Sequence, residues 1–197
     1  MESKRGYHHG DLRNALLAAT TELVRERGAR GFSVSEAARR AGVSSSAPYR
    51  HFSDREAMLA AAALVGFHAL GERFSSLPDE RAFEARAAWI AVSYLRFAQE
   101  DPARFETMFA SGIDKSRHED LMRQAVVVQA LLEAALGPFL DPAELVDRAA
   151  ELWSLAHGVA TLVLQGNLQH VVDAGRVESL AESAARSWAA GVASAQR

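Results

Sequence analysis

Apolar residues along this chain fall at helical intervals almost everywhere. Leu12, Leu16, Ala19 and Leu23 recur at such spacing, as do Leu59, Ala63, Phe67, Leu70 and Phe74, and again Leu145, Ala149, Leu152 and Leu155. That is the period of a helix with one buried face, and no stretch alternates as a strand would. Glycine and proline punctuate the pattern. A first helix is predicted from about Gly10 to Gly28, with Arg25 and Arg27 in its last turn, where cations offset the helix dipole. Ser33-Val34-Ser35-Glu36 reads as a capping box, the Ser33 hydroxyl accepting from the Glu36 N–H while Glu36 reaches back. A short helix then runs to Ala41, Gly42 breaks it, and a second short helix is predicted from about Ser45 to Phe52. Ser53 and Asp54 cap a long helix to about Phe74, and further helices are expected over 79–100, 102–110, 116–136, 142–167 and 175–194. The expected class is all-α, with about nine helices.

The segment from Ser33 to Phe52 carries the most chemistry. Two short helices joined at Gly42 cross steeply, and the small Ala37, Ala38 and Ala41 let the second pack closely on the first, with Val43 beneath the turn. Ser44, Ser45 and Ser46 open the second helix. The first N–H groups of a helix lack internal partners and favour anions, and short hydroxyl side chains let that end approach base edges and phosphates. Pro48 lacks an N–H, but a first turn needs none there. Tyr49 and His51 offer polar tips to phosphates, and Arg55 in the first turn of the next helix reaches toward the same strand. Lys4 and Arg5 form a basic arm suited to a neighbouring groove, or else a plain terminus.

Charge distribution agrees with this. The 197 residues carry a net charge of -3, yet residues 1–56 hold ten Lys and Arg against seven Asp and Glu, and the remainder twelve against eighteen. A basic end on an acidic body suits a DNA-binding domain joined to something else. There are no cysteines, which excludes disulfides and thiolate-bound zinc and fits a reducing compartment. No signal peptide is visible, and the apolar run from Ala57 to Leu70 is shorter than a bilayer span, so a soluble cytoplasmic protein without a membrane partner is expected.

With these elements in place, residues 12–59 resemble the TetR family of bacterial repressors. The resemblance rests on the first amphipathic helix, Gly31-Phe32-Ser33, Ala41-Gly42-Val43-Ser44, Tyr49-Arg50-His51-Phe52 and Arg55-Glu56-Ala57-Met58-Leu59. It implies a homodimer whose second short helix lies in the major groove of a near-palindromic operator. It further implies that Ser33, Tyr49, His51 and Arg55 hold phosphates, while Ser45, Ser46 and Ala47 face base edges. Ala37 stands where the family commonly has a larger aliphatic residue. The serines leave few long side chains for bases, which shifts readout toward apolar contact, water and DNA shape. The division that follows is a helix-turn-helix domain over residues 1–56, with the arm 1–9, and a ligand-binding and dimerisation domain over 57–197.

Trp153-Ser154-Leu155-Ala156-His157-Gly158, taken with the segment from Pro102 to Phe109, resembles the C-terminal domain of the TetR branch named for its Trp, His and Gly. Trp153, His157 and Thr161 share one helix face. Gly158, Leu162 and Trp188 are candidates for the dimer seam that the family builds from its last two helices, although intrachain core is an equal reading for Trp153 and Gly158. Phe67, Trp89, Tyr94, Phe97, Phe105, Met108, Phe109 and Met122 give the central helices an aromatic and thioether character. Such residues form core or the wall of a hydrophobic effector pocket. From this set and the Trp-His pair, the candidate effector contacts are Phe67, Trp89, Tyr94, Phe105, Met108, Phe109, Met122, Trp153 and His157.

No phosphate loop, dinucleotide fingerprint, nucleophile elbow or metalloprotease motif occurs, and no Glu-x-x-His pair suggests a di-iron site. The expectation is therefore a regulator with no catalytic residue, metal or cofactor: a repressor released by a small hydrophobic molecule. The alternatives are an activator, or a helical dimeric interaction module with non-specific DNA binding.

Overall fold

The computed structural model describes residues 9–78, 82–110 and 112–195, with side chains from Leu12 onward. Leu16, Ala19, Thr20, Leu23 and Val24 lie along one face of α1 (His9–Gly31), all buried. Thr20 is tolerated there because its hydroxyl donates to the Leu16 carbonyl at 2.8 Å. Gly28 interrupts the helical path with φ 69° and ψ 164°, a conformation that suits glycine, and one further turn follows it. The helix stop predicted at Gly28 is thus a kink rather than an end.

The remaining elements are α2 (Val34–Arg40), a 3-10 turn at Pro48–Arg50, α3 (Arg55–Ser75), α4 (Phe83–Glu100), α5 (Pro102–Met108), α6 (Glu119–Leu136), α7 (Leu145–Leu164) and α8 (Val177–Ala195). Short 3-10 turns at Lys115–Arg117, Gly137–Phe139 and Ala174–Arg176 lead into or out of them. The described residues thus form eight α-helices and no strand.

Two local expectations need correction. The capping box does not form: Ser33 holds the N-cap position with an extended backbone but no side-chain cap bond, and Glu36 is taken by arginines instead. Nor is there an α-helix from Ser45 to Phe52. Ala47 N–H bonds Ser44 O, Arg50 N–H bonds Ala47 O and His51 N–H bonds Pro48 O, a succession of tight turns. Serines that bond locally and a proline without a donor leave too little for a longer helix to nucleate. By contrast, Asp54 caps α3 as expected, its Oδ1 accepting from Ala57 N–H at 2.8 Å, a bond that holds the carboxyl below its usual range.

The chain divides into two compact units, Met1–Phe67 with Ala103–Arg123, and His68–Pro102 with Gln124–Arg197. In the first, α1, α2 and the start of α3 enclose Leu16, Leu23, Phe32, Val34, Phe52, Met58 and Leu59. There α5 lies so close to α3 that a Cβ on Gly66 would stand 2.5 Å from Met108 Cγ. In the second, α4 packs against α7 and α8. Ala181, Ala185 and Ala189 on α8, and Ala149, Ala156 and Ala160 on α7, are buried at near-helical repeats, small ridges that allow close helix approach. By length and composition α3 would suffice to cross a membrane, with mean hydropathy 1.2, but more than half of its apolar window is buried in the fold.

Candidate nucleic-acid interface and effector residues

The turn after α2 is built by backbone geometry. Ala41 ends the helix in the right-handed region and Gly42 follows at φ 70°. Val43 N–H returns to Ala38 O at 3.0 Å and Gly42 N–H to Arg39 O at 3.2 Å, the paired bonds of a Schellman motif. A Cβ on Gly42 would meet nothing, so the glycine is required by φ and not by space. This turn sets the direction in which Ser44, Ser45 and Ser46 leave α2. All three are exposed, and the Ser44 and Ser46 hydroxyls lie 3.1 Å apart. Ala47 and Pro48 turn inward and are buried, which anchors the segment. Tyr49 projects with 55% of its surface exposed, and His51 is half-buried with its ring 6.3 Å from that of Phe52. Ser33 is exposed beside α2. Lys4 and Arg5 lie outside the described residues.

Several charges on this head are paired within it. Arg39 donates twice to Glu36, at 2.6 and 3.1 Å, and Arg27 stands 3.6 Å from the same carboxylate. The Arg39 bond holds Glu36 below the usual carboxylate range. Arg40 makes a two-pronged pair with Glu26 and lies 3.7 Å from Glu22. Arg55 is occupied as well. Its guanidinium donates to Phe32 O at 3.0 Å, to Ala29 O, and to Arg30 O at 3.4 Å, and it lies over the Phe32 ring. Arg55 therefore braces the carbonyls that follow the Gly28 kink. Glu106 of α5 holds the other side, its carboxylate accepting from Ala29 N–H at 3.3 Å. Arg50, like Arg25 and Arg30, is exposed and makes no ion pair with a described residue. It stands beside Tyr49, a basic candidate that the family motif contains but sequence reasoning did not single out.

The candidate effector residues fall into two groups. In the first unit Phe67 meets Phe109 edge to face at 5.8 Å, Phe105 packs on Phe109 at 5.1 Å, and Met108 is fully buried against Gly66. In the second unit Tyr94 is buried and joins α4 to α7. Trp153 Nε1 donates to its hydroxyl at 3.3 Å, and the hydroxyl lies 2.8 Å from His157 Nδ1. Burial pushes the Tyr94 phenol well above its ordinary pKa, so the hydroxyl keeps its proton in this cluster. One turn further along α7 the Thr161 hydroxyl is buried without a partner among the described residues. Such a group marks a place for water or a ligand, and sequence reasoning used Thr161 only as a face marker. Trp89 is half-buried on α4, and Met122 is exposed on α6 rather than gathered with the others. Of the seam candidates, Leu162 is exposed and Gly158 has open space around it. Trp188 is engaged within the chain, donating to Glu151 at 2.9 Å and lying against Phe83.

A cleft of about 240 Å³ opens in the first unit between Arg13, Ala57, Ala60, Ala61, Leu64 and the start of α6 at His118–Leu121. None of the candidate effector residues lines it.

Residues 16–62 match the tetR family of bacterial regulatory proteins, and residues 87–188 match the tetracyclin repressor-like C-terminal domain. A solved protein of unknown function from Rhodococcus sp. RHA1 is similar with a TM-score of 0.78 and 28% identity, covering 96% of this chain and 100% of that one. A transcriptional regulator from Rhodococcus sp. RHA1 has a TM-score of 0.72 and 23% identity, covering 91% and 95%. The transcriptional regulator FadR from Bacillus subtilis, solved in complex with stearoyl-CoA, has a TM-score of 0.71 and 15% identity, covering 91% and 98%. No curated protein matches the chain.

Proposed function

The chain belongs to the TetR family of bacterial regulatory proteins, and from that membership we propose that it is a cytoplasmic homodimeric repressor, released from a near-palindromic operator by a small hydrophobic effector. The observation that carries the DNA-binding part is the exposed head: Ser44–Ser46, Tyr49 and Arg50 project from a Schellman turn whose direction Gly42 sets. Tyr49, Arg50, His51 and Ser33 serve as phosphate contacts, and the serines face base edges. Dimerisation uses the exposed apolar positions of α7, with Leu162 and Gly158 in the seam. An acyl-bearing effector is supported by the FadR complex and by the aromatic groups around Phe67 and Tyr94.

Release is read as a population shift. Arg55 and Phe67 lie on the single helix α3, so an effector that moves the Phe67 end moves the brace behind the head. A change in the separation of the two heads costs base contacts on both half-sites, each worth about 1–3 kcal/mol. Equal head separation in the operator-bound and effector-bound dimers refutes this mechanism.

The test is selection of bound fragments from the source genome, followed by affinity against salt. A short near-palindromic site bound on the order of a thousandfold more tightly than random DNA is the expected result. Weak, sequence-blind binding overturns the reading and favours an interaction module.

A further inference from the structure

Among the chain's 22 basic side chains only Lys4 and Lys115 are lysines, the rest being arginines. Lys115 is half-buried in the turn Lys115–Arg117. Its ammonium stands 4.6 Å from the ring centre of Phe67 and 5.3 Å from that of Phe109. No described residue accepts a hydrogen bond or an ion pair from it. Half-buried arginines such as Arg40, Arg73 and Arg148 have carboxylate partners, and Arg55 has carbonyls. Ring faces return only part of the hydration that a cation loses in such a place. Burial accordingly pushes the Lys115 ammonium below the ordinary lysine pKa.

We propose that Lys115 is the head-group site of this chain, taking the carboxylate of an amphipathic effector whose apolar part lies against Phe109. This rests on the reading of the chain as effector-responsive and names the chemistry of the effector. A carboxylate supplies the charge-assisted bonds that the ammonium lacks, while the rings supply apolar surface beside it. The turn that carries Lys115 is also tied to the reading head. Glu56, in the first turn of α3, accepts from Asp114 N–H at 3.0 Å, from Arg117 at 3.2 Å, and lies 3.2 Å from His118 Nε2. An anion that draws Lys115 off the rings thus pulls on the residues that hold the start of α3.

Two lysines make the test direct. The full chain is reductively methylated with carbon-13 formaldehyde, the dimethyl-lysine signals are assigned with Lys115→Met, and sodium decanoate is titrated against 1-decanol. Decanoate is expected to move the Lys115 signal and raise its titration midpoint while leaving Lys4 in place, and decanol to do neither. In calorimetry Lys115→Met is expected to bind decanoate on the order of tenfold more weakly, with operator affinity and helical content retained. A Lys115 signal that ignores decanoate, moves in step with Lys4, or responds equally to decanol overturns the proposal. Operator release is followed on the same samples. Release with Lys115 unmoved overturns the lysine assignment and leaves the effector reading standing; a moved Lys115 without release supports the assignment and counts against that reading.

Discussion

Replacing Arg55 by methionine keeps an unbranched apolar stem over the Phe32 ring and deletes every donor that the guanidinium offers. Two well-placed bonds are lost, to Phe32 O at 3.0 Å and to Ala29 O, with a weaker one to Arg30 O at 3.4 Å. Hydrogen bonds to a charged group contribute about 1.5–3 kcal/mol each, and partial exposure argues for the low end, so the loss comes to roughly 2–3 kcal/mol. The ring contact is nearly neutral in the exchange, because a thioether also packs well on an aromatic edge. For a chain of this size the melting temperature then falls by roughly 5–10 °C. A brace and a phosphate contact separate cleanly in a salt titration of operator binding. Each phosphate cation lost lowers the slope of log affinity against log salt by about 0.9. At a temperature where the variant remains folded, a brace leaves that slope as it was. An unchanged melting temperature, together with a slope lowered by about one per half-site, refutes the reasoning and restores Arg55 to the DNA contacts.

Tyr49→Ala should weaken binding to all DNA sequences without lowering the melting temperature, since the side chain is 55% exposed; equal affinity for wild type and variant in a fluorescence anisotropy titration removes Tyr49 from the interface. Gly42→Ala should cost about 1–2 kcal/mol in denaturant unfolding, because the left-handed backbone is what glycine supplies there and the space is open; no loss of stability means that the turn relaxes. Glu56→Gln should flatten the acid limb of stability. The Asp114 N–H, followed by His118 and Arg117, holds the Glu56 carboxyl below its ordinary value of 4.5. Its contribution is therefore complete above that value and lost as pH falls through the lower folded value. Identical acid unfolding profiles for wild type and variant contradict this.

Burial imposes the helical period, so the buried faces were legible from spacing. Leu16, Ala19 and Leu23 are all buried, as are Leu59, Ala63, Phe67, Leu70 and Phe74. Gly42 was legible for a related reason, since few residues tolerate its backbone. Partners distant in the chain were not. Ser33 and Glu36 have capping-box spacing, but Arg27 and Arg39 compete for the carboxylate, and Arg27 meets Glu36 only because α1 and α2 pack together. Arg55 reads locally as a cation beside DNA, while its acceptors lie 23 to 26 residues earlier, at the end of α1. The aromatic residues were recognisable as a set, but no spacing separates those around Phe67 from those around Tyr94. Lys115 carried no signal, because only folding lays its ammonium on Phe67 and Phe109.

The internal pairing of Arg39 and Arg40 with Glu36 and Glu26 has a consequence for how such a protein searches a chromosome. Grip on random DNA comes from cations that displace counterions, and this head commits two of its central arginines to its own carboxylates. On the repressor reading proposed above, these pairs are expected to weaken the hold on random DNA and so to favour hops through solution over long one-dimensional slides. Little of the cellular pool is then sequestered on bulk genome. On that same reading promoter occupancy is expected to follow copy number closely, which makes expression of the regulator a second input alongside the proposed effector.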